Sequence, residues 1–193
     1  MLEKQDVRNT ENSYGLIAKL FHWGMFLILL GLVILGFYMA DLPKDTPAQA
    51  TYKLGLYDWH KSFGIVILIL VILRLGWRII NPVPKMPDDM SRVERLSAHA
   101  MHMLLYLLMF IQPLSGWLMS SFGGHLVKFF GQPLPALVGK DKIWGDIFHE
   151  THEIVAFLLI AAFIIHVVAA LFHHFSRKDD VLIRMSLHGK RSQ

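Results

Sequence analysis

The sequence predicts an all-α integral membrane protein, a four-helix bundle with both termini in the cytoplasm, and three observations lead there. Of the 193 residues, 54% are hydrophobic, more than a soluble domain of this size needs for a single core. Four apolar stretches, roughly 16–40, 59–80, 101–122 and 148–175, each approach or exceed the ~20 residues with which a helix crosses ~30 Å of hydrocarbon. The basic residues are unevenly shared among the connections. Lys4, Arg8, Lys19, Arg78, Lys85, Arg92, Arg95, Arg177, Lys178, Arg184, Lys190 and Arg191 flank one end of the helices, against Lys44, Lys53, Lys61, Lys128, Lys140 and Lys142 at the other. Basic residues stay on the cytoplasmic side, so the first set, with both chain ends, is expected there.

The elements follow in chain order. Residues 1–13 form a polar leader expected to be disordered. The first apolar stretch follows it, too long for a cleaved signal peptide and without a clear small-residue cleavage site, and is expected to remain as a helix. Asp41-Leu-Pro-Lys-Asp-Thr-Pro is its turn-rich exit, and Asn81-Pro-Val-Pro-Lys-Met-Pro closes the second helix, because consecutive prolines remove helix donors and push their predecessors out of the α region. After the third helix and Gly123-Gly124 comes the longest connection, up to Gly145. Loops of that length have a role or lie partly on the membrane. The fourth helix ends before a basic tail, 186–193. One transmembrane domain, 14–185, is expected, and no internal repeat of 20–50 residues is visible.

There are no cysteines, which excludes disulfides, thiolate metal sites, iron–sulfur clusters and thioether-linked haem. The net charge of +4 does not point to nucleic acid, since the cations sit at helix ends rather than interleaved with aromatics on a soluble face.

Eleven histidines are the chemistry-bearing residues. His99, His102, His125, His149, His174 and His188 lie near helix ends, where a half-solvated imidazole needs no further explanation. His22, His60, His152 and His166 differ. His152 and His166 are 14 residues apart, which on a helix is about 21 Å along the axis and about 40° short of four full turns. They therefore share a face at two depths. His149 stands 17 residues before His166, about 100° away around the axis, so His152 is the better aligned. His22, early in the first helix, matches the depth of His166. His60, at the start of the second, matches His152. Two facing neutral imidazoles at each depth are the ligand set of a bis-histidine haem, whereas zinc wants four ligands together and "HETHE" is not H-E-x-x-H. Such ligation leaves iron no open position, so electron transfer rather than oxygen chemistry is expected.

Arg74 follows His60 by the same 14 residues and so falls on that face at the cytoplasmic depth. Buried in an apolar run it costs at least ~2.5 kcal/mol unpaired, which a haem propionate would offset; snorkelling to the interface is the other reading. His173, 7 residues after His166, also lies on the face, placed for a propionate, a quinone carbonyl or interfacial water. Gly64, one turn after His60, either admits a porphyrin to the backbone or eases helix packing.

These residues resemble the four-helix prokaryotic cytochrome b561 family over about 14–185. The resemblance is carried by "YGLIAKLFHW", "DWHKSFG", "LRLGWRIINPVPKMP", "AHAMHMLLYLLMFIQPLSGWLMSS", "FFGQPLPALVGKDK" and "THEIVAFLLIAAFIIHVVAALFHHFSRKDDVLIRM". It implies that His22, His60, His152 and His166 are axial ligands of two b-type haems in a bacterial inner membrane. The family pattern has one histidine where this chain has "HETHE", so His149 competes with His152. The family passes electrons between the ubiquinone pool and an outer-side partner, superoxide in at least one member, and includes cytochrome subunits of larger dehydrogenases and hydrogenases. The expected function is therefore electron transfer from an outer donor, superoxide foremost, to ubiquinone. A membrane-anchor subunit with a partner polypeptide and a non-redox transition-metal module are the alternatives. No residue is assigned to the substrate's own chemistry. If superoxide is the donor, the outer-side lysines can steer it.

Overall fold

The structure, a computed structural model, describes residues 6–87 and 90–187; the rest of the basic tail, with His188, Lys190 and Arg191, and Lys4 lie outside the described residues. Four long helices dominate: α1 (Leu16–Asp41), α2 (Pro47–Ile80), α3 (Arg92–Phe122) and α4 (Lys142–Phe172). All four are long and apolar enough to cross a membrane. A two-stranded hairpin, β1 (Lys128–Phe129) and β2 (Gln132–Pro133), lies between α3 and α4, while a π-helical turn, His173–Arg177, and the short α5 (Val181–Met185) follow α4.

Three of the four helices begin earlier than their apolar runs, α2 at Pro47, α3 at Arg92 and α4 at Lys142. The starts are set by side-chain caps that bind orphan backbone donors. Before α2, Thr46 Oγ1 accepts the Gln49 N–H at 3.3 Å and Gln49 Oε1 accepts the Thr46 N–H at 3.0 Å, with Pro47 in the first helical position where its missing N–H costs nothing. Ser91 and Glu94 make the same reciprocal box before α3, at 3.2 and 2.7 Å. Asp141 Oδ1 accepts the N–H groups of Ile143 and Trp144 before α4.

The chain divides into two compact units. The first comprises 1–24, 72–106 and 160–193. Here residues 6–13, the described part of the leader expected to be disordered, are held by hydrogen bonds instead. Asn9 Nδ2 donates to the Pro82 carbonyl at 2.9 Å, Asn9 Oδ1 accepts the Gly15 N–H at 2.9 Å, and Lys85 pairs with Glu11 at 2.7 Å. That hydrogen bond and charge hold the Glu11 carboxyl below the usual carboxylate range. A Cβ on Gly15 would stand 2.4 Å from the Arg8 carbonyl carbon, so only glycine admits the crossing. At the far end of the chain, Trp23 Nε1 donates to the Met185 carbonyl at 2.9 Å and Arg177 pairs with Glu94 at 2.6 Å, tying the segment after α4 to α1 and α3.

The second unit comprises 25–71 and 107–159. Its hairpin turns through Phe130 (φ 49°) and Gly131 (φ 90°), the two positive values that a two-residue turn matched to strand twist requires. An aromatic residue in the left-handed region is disfavoured by about 1–2 kcal/mol, and α2 supplies the compensation. The buried Ser62 hydroxyl accepts the Phe130 N–H at 3.0 Å and lies 2.7 and 2.9 Å from the Asp58 and Lys128 carbonyls, which share its proton. Phe130 also packs edge-on against Trp59 and Phe63, and Lys128 pairs with Asp58 at 3.0 Å. Ser62→Ala removes the hydroxyl that joins these three backbone groups, a loss of about 0.5–1.5 kcal/mol per hydrogen bond. Limited proteolysis of the intact protein is expected to cut the 123–141 connection markedly faster, with the helices themselves still protected.

Large apolar side chains of all four helices, Leu27, Ile34, Ile69, Leu107 and Phe157 among them, are exposed, while the buried set includes Ser62, Ser115, Ser120 and Ser121. An apolar outside with small polar residues inside is the arrangement lipid favours, because hydrocarbon offers no gain for hiding leucine and small residues let helices approach closely.

Candidate functional site

The four histidines singled out by spacing meet in the expected pairs, one pair in each unit. In the first unit the rings of His22, in the second turn of α1, and His166 on α4 have centroids 6.2 Å apart and planes at 55°. In the second unit His60 on α2 faces His152 on α4, with centroids 6.4 Å apart and planes at 76°. His149, the competitor from the doubled motif, is exposed. Two imidazole nitrogens bound about 2 Å either side of one metal ion set the ring centres roughly 6 Å apart, so both pairs have the separation that trans ligation requires. Among the described residues no cluster of three or more His, Cys, Asp or Glu has metal-binding geometry. The arrangement fits haem, whose porphyrin supplies the four remaining donors.

The surroundings of the pairs also suit a flat group lying against backbone. A Cβ at Gly64 would meet nothing within 4 Å, so this glycine eases no helix contact and leaves open space one turn from His60. Gly36 and Gly116 stand against the rings instead. A Cβ at Gly36 would come 3.4 Å from His60 Cε1, and one at Gly116 would come 2.9 Å from His152 Cε1. Nδ1 of His60 is buried without a partner. Nδ1 of His152 lies 2.9 Å from the Gln112 carbonyl and 3.2 Å from Ser115 Oγ.

Arg74 lies in the first unit, its Nη2 3.2 Å from His22 Nδ1 and its guanidinium carbon 5.5 Å from the centre of the Tyr106 ring. Its guanidinium is thus turned toward His22 and Tyr106. His173 Nδ1 is hydrogen-bonded to the Asp179 carboxylate at 2.5 Å, both nearly buried, which leaves its Nε2 as the atom available to another group. His102, set aside in the sequence as an interfacial imidazole, has its ring 5.5 Å from that of His166. Its position on the apolar face of α3 is the one signal that a closer reading of spacing would have found. Nothing in the sequence reveals that Gln112, Ser115 and Gly116 touch His152, because the contact joins α3 to α4 across 36–40 positions.

Four membrane-length helices carrying facing imidazole pairs define a multi-pass, haem-binding electron-transport protein. The chain belongs to the prokaryotic cytochrome b561 family, whose model matches residues 13–187. It is 35% identical over 182 residues to cytochrome b561 homolog 2 of Escherichia coli (strain K12), spanning 92% of this chain and 93% of that protein. Cytochrome b561 homolog 1 of the same strain is 29% identical over 90% of this chain and 97% of its own. The probable superoxide oxidase CybB of Yersinia pestis is 29% identical over 90% and 95%. Haem b is the cofactor that this membership carries with it.

Proposed function

We propose that this cytochrome holds two b-type haems, one between His60 and His152 and the other between His22 and His166, and passes electrons from superoxide on the outer side of the bacterial inner membrane to ubiquinone. The carrying observation is the equal ring separation of the two imidazole pairs, 6.2 and 6.4 Å. The similarity to a probable superoxide oxidase supports the choice of donor, and the crowding of basic residues at the two chain ends and around the connection between α2 and α3 (Arg78, Lys85, Arg92 and Arg95) supports a cytoplasmic location for both termini.

Haem, when bound, supplies one-electron redox chemistry at its iron. The chain's own residues do the rest. The two facing histidines of each pair would hold the iron between them, which would leave it no open position for substrate, so outer-sphere electron transfer is the chemistry the pair would support. The exposed apolar faces of the helices exclude water from their surroundings by placing them in lipid. Arg74 can only donate, so in its contact with His22 the ring accepts at Nδ1 and carries its proton on Nε2. Holding haem iron through Nε2 would need the other tautomer, with Arg74 then placed to face an anion such as a haem carboxylate.

The reading is tested by anaerobic stopped-flow mixing of the oxidised purified protein with superoxide and, separately, of the reduced protein with ubiquinone, following the haem bands. Rapid reduction by superoxide and reoxidation by ubiquinone are expected; a reduced-minus-oxidised spectrum without b-type bands would end the proposal. Superoxide is an anion, and Lys44, Lys53, Lys61, Lys128, Lys140 and Lys142 lie on the side proposed to meet it. The second-order rate is therefore expected to fall several-fold between low and physiological ionic strength, as the Debye length shrinks from ~30 Å at 0.01 M to ~8 Å. A flat salt response removes lysine steering while leaving the haem assignment intact.

A further inference from the structure

Helix α3 contributes no ring to either facing pair, yet it grips one of them. We propose that the Gln112 carbonyl, Ser115 and Gly116 are positioning elements for His152, which lock its proton on Nδ1, present Nε2 as the metal-binding nitrogen, and make the haem it ligates harder to reduce. This rests on the assignment of His152 as an axial ligand.

The proton's place follows from the donors and acceptors. A backbone carbonyl only accepts, so His152 Nδ1, 2.9 Å from the Gln112 oxygen, must carry hydrogen. Ser115 Oγ lies 2.9 Å from the same carbonyl and 3.2 Å from Nδ1. Its hydroxyl proton goes to the carbonyl, which leaves an oxygen lone pair as a second acceptor for the imidazole N–H. A neutral imidazole has one such proton, so Nε2 bears a lone pair. The Gln112 side-chain amide nitrogen, a donor 3.1 Å from Nε2, marks the direction in which that lone pair points.

Access is decided by Gly116. A Cβ there would stand 2.9 Å from His152 Cε1 and 3.1 Å from Nδ1, closer than unrelieved contacts allow, so only glycine lets the ring reach the α3 backbone. Ser115 is 2% exposed, which keeps water from competing for these bonds. The opposing ring lacks these hydrogen bonds, since His60 Nδ1 is buried without a partner. The pair is therefore asymmetric, with one imidazole held and made more electron-donating by its hydrogen bonds and the other held by iron alone. Outer hydrogen bonds of this kind orient a ligating histidine and raise its basicity, and a more basic axial ligand favours the ferric state.

The test uses the full, haem-loaded protein in detergent, with low-temperature electron paramagnetic resonance and equilibrium redox titration of both haems. Ser115→Ala removes an acceptor from the Nδ1–H, and Gly116→Ala pushes the ring from the carbonyl. Each is expected to displace one of two low-spin signals and raise the reduction equilibrium constant of that haem about tenfold, which is ~59 mV for one electron, with the other haem unmoved. Ser115→Thr, which keeps the hydroxyl, is expected to restore the native signal. His152→Ala must abolish the same signal. If it does so while Ser115→Ala and Gly116→Ala leave both signals and both potentials native, the positioning role is overturned. If His152→Ala leaves both signals in place, the ligand assignment fails first, and the two failures are told apart. Should Gly116→Ala not accumulate in membranes, the Ser115→Ala and Ser115→Thr pair decides alone.

Discussion

Alanine at His152 or at His166 is expected to halve the haem content of the purified protein, from two per chain to about one, and to abolish one low-spin signal while the other persists. The expectation follows from geometry and from the absence of thioether links, for the chain has no cysteine and a b-type haem depends on its axial bonds and its pocket for retention. His60→Ala should remove the same haem as His152→Ala, and His22→Ala the same one as His166→Ala, because the rings meet in those pairs. His149→Ala should keep both haems, since that side chain is exposed and it is His152 that faces His60. Haem-to-protein ratio by pyridine haemochrome, read beside electron paramagnetic resonance, measures all five variants. A full complement of two low-spin haems in the His152 or the His166 variant would refute the pairing.

The second large effect is expected at Arg74, and on the other haem. Arg74→Gln keeps a donor near His22 but deletes the charge. Ferric haem carries one more positive charge than ferrous haem, so a nearby cation favours reduction and its removal must lower the potential. A unit charge within about 8 Å at an effective dielectric of 20 is worth on the order of 2 kcal/mol, less where a propionate neutralises part of it. The reduction equilibrium of the haem between His22 and His166 is therefore expected to shift roughly tenfold toward ferric, with the other haem unchanged. Redox titration of the variant reads both, and the sign is opposite to that expected for Ser115→Ala and Gly116→Ala. An unchanged midpoint would place Arg74 outside the electrostatic field of either iron.

The spacing of His152 and His166 could be used without any fold because a helix makes its own hydrogen bonds, so the direction of each side chain depends on residue number alone. The same property placed Arg74 with His22. Where the helices begin was less accessible. Apolar length marks only the part that meets hydrocarbon, whereas α2, α3 and α4 start at caps formed by Thr46 with Gln49, Ser91 with Glu94, and Asp141. Those are polar signatures of a few residues, written in the sequence but invisible to a search for greasy runs. Residues 6–13 were expected to be loose because they are polar; they are held because Pro82 and Lys85 offer partners some seventy positions away.

By itself the sequence determined the four membrane-length helices, the exclusion of thiolate and thioether chemistry, and which histidines share a face, all consequences of local backbone geometry and of the cost of polar groups in lipid. Only the tertiary structure decided how closely the rings paired by depth approach, 6.2 and 6.4 Å, that Arg74 turns to His22, and that α3 holds His152 through a carbonyl, a serine and a glycine. The rotation of one helix about its axis relative to another is set by side chains packing across the interface, and no periodicity within a single helix contains it.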